Sequence, residues 1–187
     1  NSVNGVVRLE DKVIFLLDLE KIVAEINPVA AMRFDVGEAA AGIGGYTALI
    51  VDDSATVRHL VRKLLEEAGY TVQSAANGRE ALNWLMERKA TVVASGGSIC
   101  EFLDVVVSDI EMPVMDGHSL TRQIKSDPVL QVLPVILFSS LITESLQHKG
   151  ESVGADLQVA KPDLVKVAVS ARELIEARRG GRATRRL

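Results

Sequence analysis

The chain has 187 residues, a length that admits one full domain with an appendage or two small domains and excludes two large ones. Hydrophobic residues make up 48% and charged residues 25%, enough apolar side chains for a core, which excludes global disorder and collagen-like structure. A formal net charge of −4 gives no overall attraction to nucleic acid or anionic lipid. Only Arg178, Arg179, Arg182, Arg185 and Arg186 make a basic end, read as a solvated chain terminus in preference to a contact with an acidic partner. Nearly uncharged stretches fall well short of the ~20 apolar residues that span a bilayer, and no leader segment opens the chain, so no membrane insertion and a cytoplasmic location are expected. The single Cys100 allows no internal disulfide and agrees with a reducing compartment. A chain that opens on Asn1 in place of Met reads as a fragment or a processed product.

Residues 5–26 predict a strand over Val6–Leu9, a polar break at Glu10-Asp11-Lys12, a second strand over Val13–Leu17, and a helix capped by Asp18. In that helix Leu19, Ile22, Val23 and Ile26 share one stripe. A hairpin with one helix is not stable alone. The segment is therefore expected either to dimerise, giving a homodimer through residues 5–26, or to fold onto the rest of the chain. Residues 29–46 are rich in alanine and carry Gly37, Gly42, Gly44 and Gly45, a linker composition. They are not a dinucleotide loop, because such a loop follows a strand and opens a helix, whereas this run precedes a strand.

From Thr47 short apolar runs alternate with amphipathic stretches of helical length, the pattern of a doubly wound, five-stranded parallel sheet of α/β class. The strands are expected at Thr47–Val51, Thr71–Ala75, Val105–Ser108, Pro134–Phe138 and Asp156–Ala160. The first helix repeats Val57, Leu60, Val61, Leu64, Leu65 and Ala68 at three- and four-residue steps and stops at Gly69; the last repeats Leu164, Val167, Ala168, Ala171, Leu174 and Ile175. Residues 89–101, with Ser95-Gly96-Gly97-Ser98, read as a long loop before the third strand.

Ligands of such sheets bind beyond the carboxyl ends of the strands. Those ends carry Asp52-Asp53, Asp109, Ser139-Ser140 and Lys161-Pro162. Crowded carboxylates repel one another, and a hard divalent cation with oxygen ligands relieves the repulsion; Mg²⁺ fits because it binds one or two carboxylates and accepts a phosphoryl oxygen. Aspartate is also a covalent phosphoryl acceptor, and an ammonium and a hydroxyl can neutralise the transferring group.

The motifs Leu49-Ile50-Val51-Asp52-Asp53-Ser54 with Arg58, Asp109-Ile110-Glu111-Met112-Pro113 with Asp116-Gly117, Ser139-Ser140, and Gly154-Ala155-Asp156 leading to Lys161-Pro162 together resemble a two-component receiver (response-regulator) domain over residues 47–176. The resemblance implies a flavodoxin-like receiver with Asp109 as phospho-acceptor, Ser139 as the hydroxyl switch and Lys161 pairing with the phosphoryl group. It implies Mg²⁺ held by Asp52, Asp53, Asp109 and the backbone carbonyl of Glu111, and a cis Lys161–Pro162 bond that turns Lys161 inward. Where many receivers have an aromatic switch three residues before the lysine, this chain has Gln158. The conformational response is then expected to stay within residues 141–150 and the final strand.

Gly5–Leu9 and Val13–Ile22 resemble the closing strands and helix of a chemotaxis coupling (CheW-like) domain, which before a receiver is the arrangement of CheV-type coupling proteins. The implied organisation is a coupling-domain remnant at 1–28, a linker at 29–46, a receiver at 47–179 and a basic tail at 180–187. The implied function is an adaptor whose receiver takes a phosphoryl group from a histidine kinase and modulates signalling in the chemoreceptor array. It would catalyse its own phosphorylation and dephosphorylation without being a turnover enzyme. The alternative is a Mg-dependent phosphatase working through an aspartyl-phosphate, which differs in placing a second acid two residues after a nucleophile on the first strand. A DNA-binding regulator is disfavoured, since about ten residues follow the last helix, too few for a helix-turn-helix. His59, His118 and His148 share no ligand spacing and read as surface side chains, while Met112 and Met115 are expected to pack beneath the site.

Overall fold

The computed structural model describes residues 3–9, 12–17, 45–139, 144–161 and 163–183. Two compact units divide the chain, Asn1–Asp35 and Val36–Leu187. In the first, β1 (Val3–Leu9) pairs antiparallel with β2 (Lys12–Leu17), from Leu9↔Lys12 to Val3↔Leu17, with an irregularity between Val3 and Gly5. The helix expected over residues 18–26 and the linker up to residue 44 lie outside the described residues.

The second unit carries β3 (Tyr46–Val51), α1 (Ala55–Glu67), β4 (Tyr70–Ala75), α2 (Gly78–Ser95), a 3₁₀ turn (Ile99–Glu101), β5 (Val105–Asp109), α3 (Gly117–Ser126), β6 (Val135–Ser139), α4 (Glu144–Ser152), β7 (Leu157–Ala160) and α5 (Leu164–Ala183). Its five strands form a parallel sheet in the order β4-β3-β5-β6-β7, so the chain winds outward in both directions from β3. This is the doubly wound sheet that the alternating pattern predicts. The three central strands are buried on both faces, which explains why they read as unbroken apolar runs. Leu49, Val51 and Val106 turn toward a core shared with Leu85 of α2 and Leu120 and Ile124 of α3. No helix among the described residues is long and apolar enough to cross a membrane.

Residues 89–101 do not form the loop that their composition suggests. Helix α2 continues to Ser95 with Val92 buried, and ends where Gly96 takes a left-handed φ of 69° and Gly97 N–H donates to the Val92 carbonyl at 3.1 Å. A capping box of Ser98 and Glu101 then turns Ile99 and Leu103 into the core. Apolar burial at Val92, Ile99 and Leu103 outweighs the loop-forming bias of Ser95-Gly96-Gly97-Ser98.

A second departure lies at the end of the sheet opposite the clustered acids. Asp104, 3% exposed, accepts Thr47 N–H through Oδ2 at 3.0 Å and the guanidiniums of Arg178 and Arg179 through Oδ1 at 3.0 Å each. Arg179 also lies over the Tyr46 ring, 4.5 Å from its centroid. Arg178 and Arg179 are thus held by the start of β5 and are not a solvated end, and α5 runs on through Ala183. Buried Asp104 needs compensating charge, and the first residues of the basic run supply it.

Replacing Asp104 by Ala strands a half-buried guanidinium and a backbone donor, and should cost about 3 kcal/mol of unfolding free energy, the scale of breaking a buried ion pair. Arg179→Ala, at a half-exposed side chain, should cost about 1 kcal/mol or less. Urea unfolding followed by circular dichroism checks both; equal small losses would contradict the assignment of Asp104 as the buried anchor.

Candidate phosphoryl-transfer site

Asp52 directly follows β3, Asp109 is the last residue of β5, and both residues are buried, at 2% and 5% exposure. Three anchors fix this edge. Asp52 Oδ1 accepts Ser54 N–H at 2.8 Å, Arg58 donates to the carbonyls of Asp52 and Asp53 at 2.7 and 3.0 Å, and Asp109 Oδ1 accepts Ile110 N–H at 2.8 Å. Arg58 is on α1, so a helical side chain clamps the turn that carries the two acids. The β5–α3 loop is closed by Gly117, whose N–H donates to the Ile110 carbonyl at 2.9 Å. A Cβ at that position would lie 2.1 Å from the Asp109 carbonyl oxygen, so only glycine permits the closure.

Lys161, just after β7, bridges the two buried acids: Nζ is 3.0 Å from Asp52 Oδ2 and 3.1 Å from Asp109 Oδ2. Its own backbone N–H donates to the Ser139 carbonyl at 2.8 Å, which ties the end of β7 to the end of β6. Ser139 is buried at the end of β6, one residue past the Asp109↔Phe138 pair. Burial pushes the Asp109 carboxyl above the ordinary aspartate range, Lys161 pulls it part of the way back, and Asp52 adds to the rise. For Lys161 burial alone would depress the ammonium, but the Asp52 and Asp109 carboxylates outweigh it and raise the pKa.

Asp52, Asp53 and Asp109 each offer a carboxylate oxygen within 4.8 Å of the others. One lysine against three carboxylates leaves excess negative charge, and the set is all oxygen, which suits a hard divalent cation. Buried Asp52 Oδ2 makes its contact with Lys161 at 3.0 Å and has no other polar partner among the described residues, so it retains lone-pair capacity for a cation.

Residues 48–170 match the model of the response regulator receiver domain. The chain belongs to that receiver family. It is similar to a gliding motility regulatory protein of Myxococcus xanthus, 32% identical over 161 residues that cover 86% of this chain and 18% of that protein. It is also similar to the Helicobacter pylori chemotaxis proteins CheV3, 28% identical over 88% of this chain and 52% of that one, and CheV2, 27% identical over 84% and 48%. The chain thus spans about half of these chemotaxis relatives or less of the others. Among solved structures, the receiver domain of a signal transduction histidine kinase from Syntrophus aciditrophicus superposes with a TM-score of 0.59 at 33% identity, over 71% of this chain and 92% of that one. A CheY-like receiver from Methanospirillum hungatei, at 21% identity and a TM-score of 0.61 over 73% and 98%, shares the fold.

In this receiver, Asp52, Asp53, Asp109, Ser139 and Lys161 gather at one sheet edge, and Glu111 follows in the same loop. Met112 and Met115 pack against the core below it, as expected. Ser140, residues 141–143 and Pro162, and with Pro162 the bond expected to be cis, lie outside the described residues. His118 departs from its reading as a surface side chain: it is 2% exposed, on the inward side of α3 with Thr121 one turn on. Sequence reasoning also passed over Lys149, which together with His118 lines a cleft beside Asp53 and Glu111. His118 was signalled by its i,i+3 spacing from a buried stripe; Lys149 had no local signal.

A carboxyl whose pKa is raised by folding stabilises the fold fully below its unfolded-state pKa, and that contribution is lost as pH rises through the folded value. Metal-free Asp109→Asn should therefore be more stable than the parent at pH 7, with the gap closing as pH falls through the raised pKa toward the ordinary 3.8. Urea unfolding in EDTA across that range measures it; a parent protein more stable than Asp109→Asn at pH 7 would contradict the electrostatic account.

Proposed function

We propose that this chain is the phosphorylatable receiver of a chemotaxis coupling protein, accepting a phosphoryl group on Asp109 from a histidine kinase and thereby modulating receptor–kinase signalling. The observation that carries the reading is the buried Asp109 carboxylate at the end of β5, 3.1 Å from Lys161 Nζ and grouped with Asp52 and Asp53. The CheV relatives, which match most of the chain, support the chemotaxis setting. The β1–β2 hairpin is assigned on this reading to the end of a coupling domain, and the histidine kinase and chemoreceptor array are its protein partners in the cytoplasm.

In the transfer, an Asp109 carboxylate oxygen attacks phosphorus, and the P–N bond to the donor imidazole breaks with its electron pair leaving on nitrogen. Lys161 pairs with charge on the transferring oxygens, and the Ser139 hydroxyl, at the neighbouring strand end, donates to one of them. Mg²⁺, held by Asp52, Asp53, Asp109 and the Glu111 carbonyl, would supply the remaining charge neutralisation. Asp109 must be ionised to attack, and the Lys161 pairing limits the rise that burial imposes on it. Water later hydrolyses the acyl phosphate, so the receiver resets itself and turns over no external substrate. The phosphatase alternative is disfavoured, because the first strand of the sheet ends in the adjacent acids Asp52 and Asp53 and not in two acids spaced two residues apart, while the Asp109–Glu111 spacing falls on the third strand in sequence and is followed by Met112-Pro113.

Intact-mass measurement tests the reading. Acetyl phosphate with Mg²⁺ should add one phosphoryl group of ~80 Da, EDTA should abolish the addition, and Asp109→Asn should take up none. An Asp109→Asn protein modified as readily as the parent would sink the assignment.

A further inference from the structure

Beside the acidic cluster, between the β5–α3 loop and α4, lies a cleft of about 400 Å³ whose lining includes Asp53, Glu111, Asp116, His118 and Lys149. Asp53 belongs to the cluster and to the cleft, so the cleft opens directly off the site. Its walls carry three carboxylates, from Asp53, Glu111 and Asp116. Lys161, engaged with Asp52 and Asp109, does not line it; the ammonium on this side is that of Lys149, from α4. Lys149 makes no ion pair within 4 Å among the described residues. Its charge nevertheless reaches the cleft wall: burial pushes the Asp116 carboxyl up, but hydrogen bonds from Ser119 and the charges of Lys149 and His118 hold it below the ordinary range.

The position of Lys149 is set from the last strand. Gln158, standing where many receivers carry an aromatic ring, donates through Nε2 to the Gln147 carbonyl at 2.7 Å. Its amide lies over Gly150, where a Cβ would come within 2.4 Å of it. Gln147 and Gly150 bracket Lys149 on α4. The amide therefore tethers to β7 the turn of helix that carries the lysine.

We propose that Lys149 is a specificity-determining residue that favours small anionic acyl phosphates as phosphoryl donors, with Gln158 as its positioning residue. The proposal rests on Asp109 being the acceptor. When Asp109 attacks an acyl phosphate, the new bond is carboxylate oxygen to phosphorus and the bond that breaks is P–O; its electron pair departs on the donor's carboxylate, with no proton required. A departing anion that leaves through this cleft meets the carboxylates of Glu111 and Asp116, and the Lys149 ammonium on the same lining offsets their repulsion. With phosphoramidate the P–N bond breaks and the leaving group is neutral ammonia, to which a nearby cation gives no such help. The lysine thus separates two donor classes that Asp109, Lys161 and Ser139 treat alike.

Phosphorylation rates measured by intact mass with acetyl phosphate and with phosphoramidate, at fixed Mg²⁺ and ionic strength, test this. Lys149→Ala should slow acetyl phosphate about fivefold, the scale of one partly screened charge, while phosphoramidate changes by less than about twofold. Lys149→Arg should keep the parent preference, and Gln158→Ala should show a smaller loss confined to acetyl phosphate. The phosphoramidate rate reports that each variant is folded. Equal slowing with both donors, or no slowing with either, overturns the role of Lys149. Failure of the parent protein to be modified by either donor overturns the acceptor reading itself.

Discussion

Lys161 stands between two buried carboxylates, about 3 Å from each, and the rest of the phosphoryl site follows from that contact. Asp52 is the residue after β3 and Asp109 the last residue of the neighbouring β5, each one step past the Val51↔Ser108 pair, so the parallel register that buries the apolar runs also forces the two acids together. Desolvation and mutual repulsion both oppose their ionisation. A single ammonium relieves the conflict only in part, as the raised pKa of Asp109 records. Residual negative charge in a buried, all-oxygen site favours a divalent cation, and that cation together with Lys161 would offset the charge of an incoming phosphoryl group.

The lysine can serve this role because its backbone is fixed independently of its charge. Its N–H is bonded to the Ser139 carbonyl, so the end of β6 is tied to the residue that follows β7, the strand that also bears Gln158. Gln158 carries the same strand's position into α4. Where many receivers carry an aromatic ring, this strand is joined to α4 by an amide hydrogen bond. At the opposite edge, Asp104 joins the start of β3, the start of β5 and the end of α5, holding the sheet's base while its top carries the chemistry.

The strands and the acids at their ends were legible because each acid directly follows an apolar β run, and a parallel sheet fixes where such a residue must lie. The first helix was equally plain, for Val61, Leu64 and Leu65 are its buried stripe. What stayed hidden depends on contacts distant in sequence. Asp104 pairs with residues 74 and 75 positions away, and its only local mark is a carboxylate set between buried Leu103 and Val105. His118 looked like a polar helix opening because burial of the first turn of α3 is decided by the sheet below it. Residues 89–101 misled by composition, since a glycine that ends a helix and a glycine in a loop read alike until Val92 and Ile99 are seen to be buried.

Borohydride trapping of the phosphorylated protein tests the central claim most directly, because an acyl phosphate is reduced to an alcohol while free carboxylates and phosphoserines are not. After incubation with acetyl phosphate and Mg²⁺, peptide mass mapping should find Asp109 converted to homoserine, with Asp52 and Asp53 intact. Homoserine at Asp52 or Asp53, or phosphate retained on a serine with Asp109 unreduced, would contradict the account.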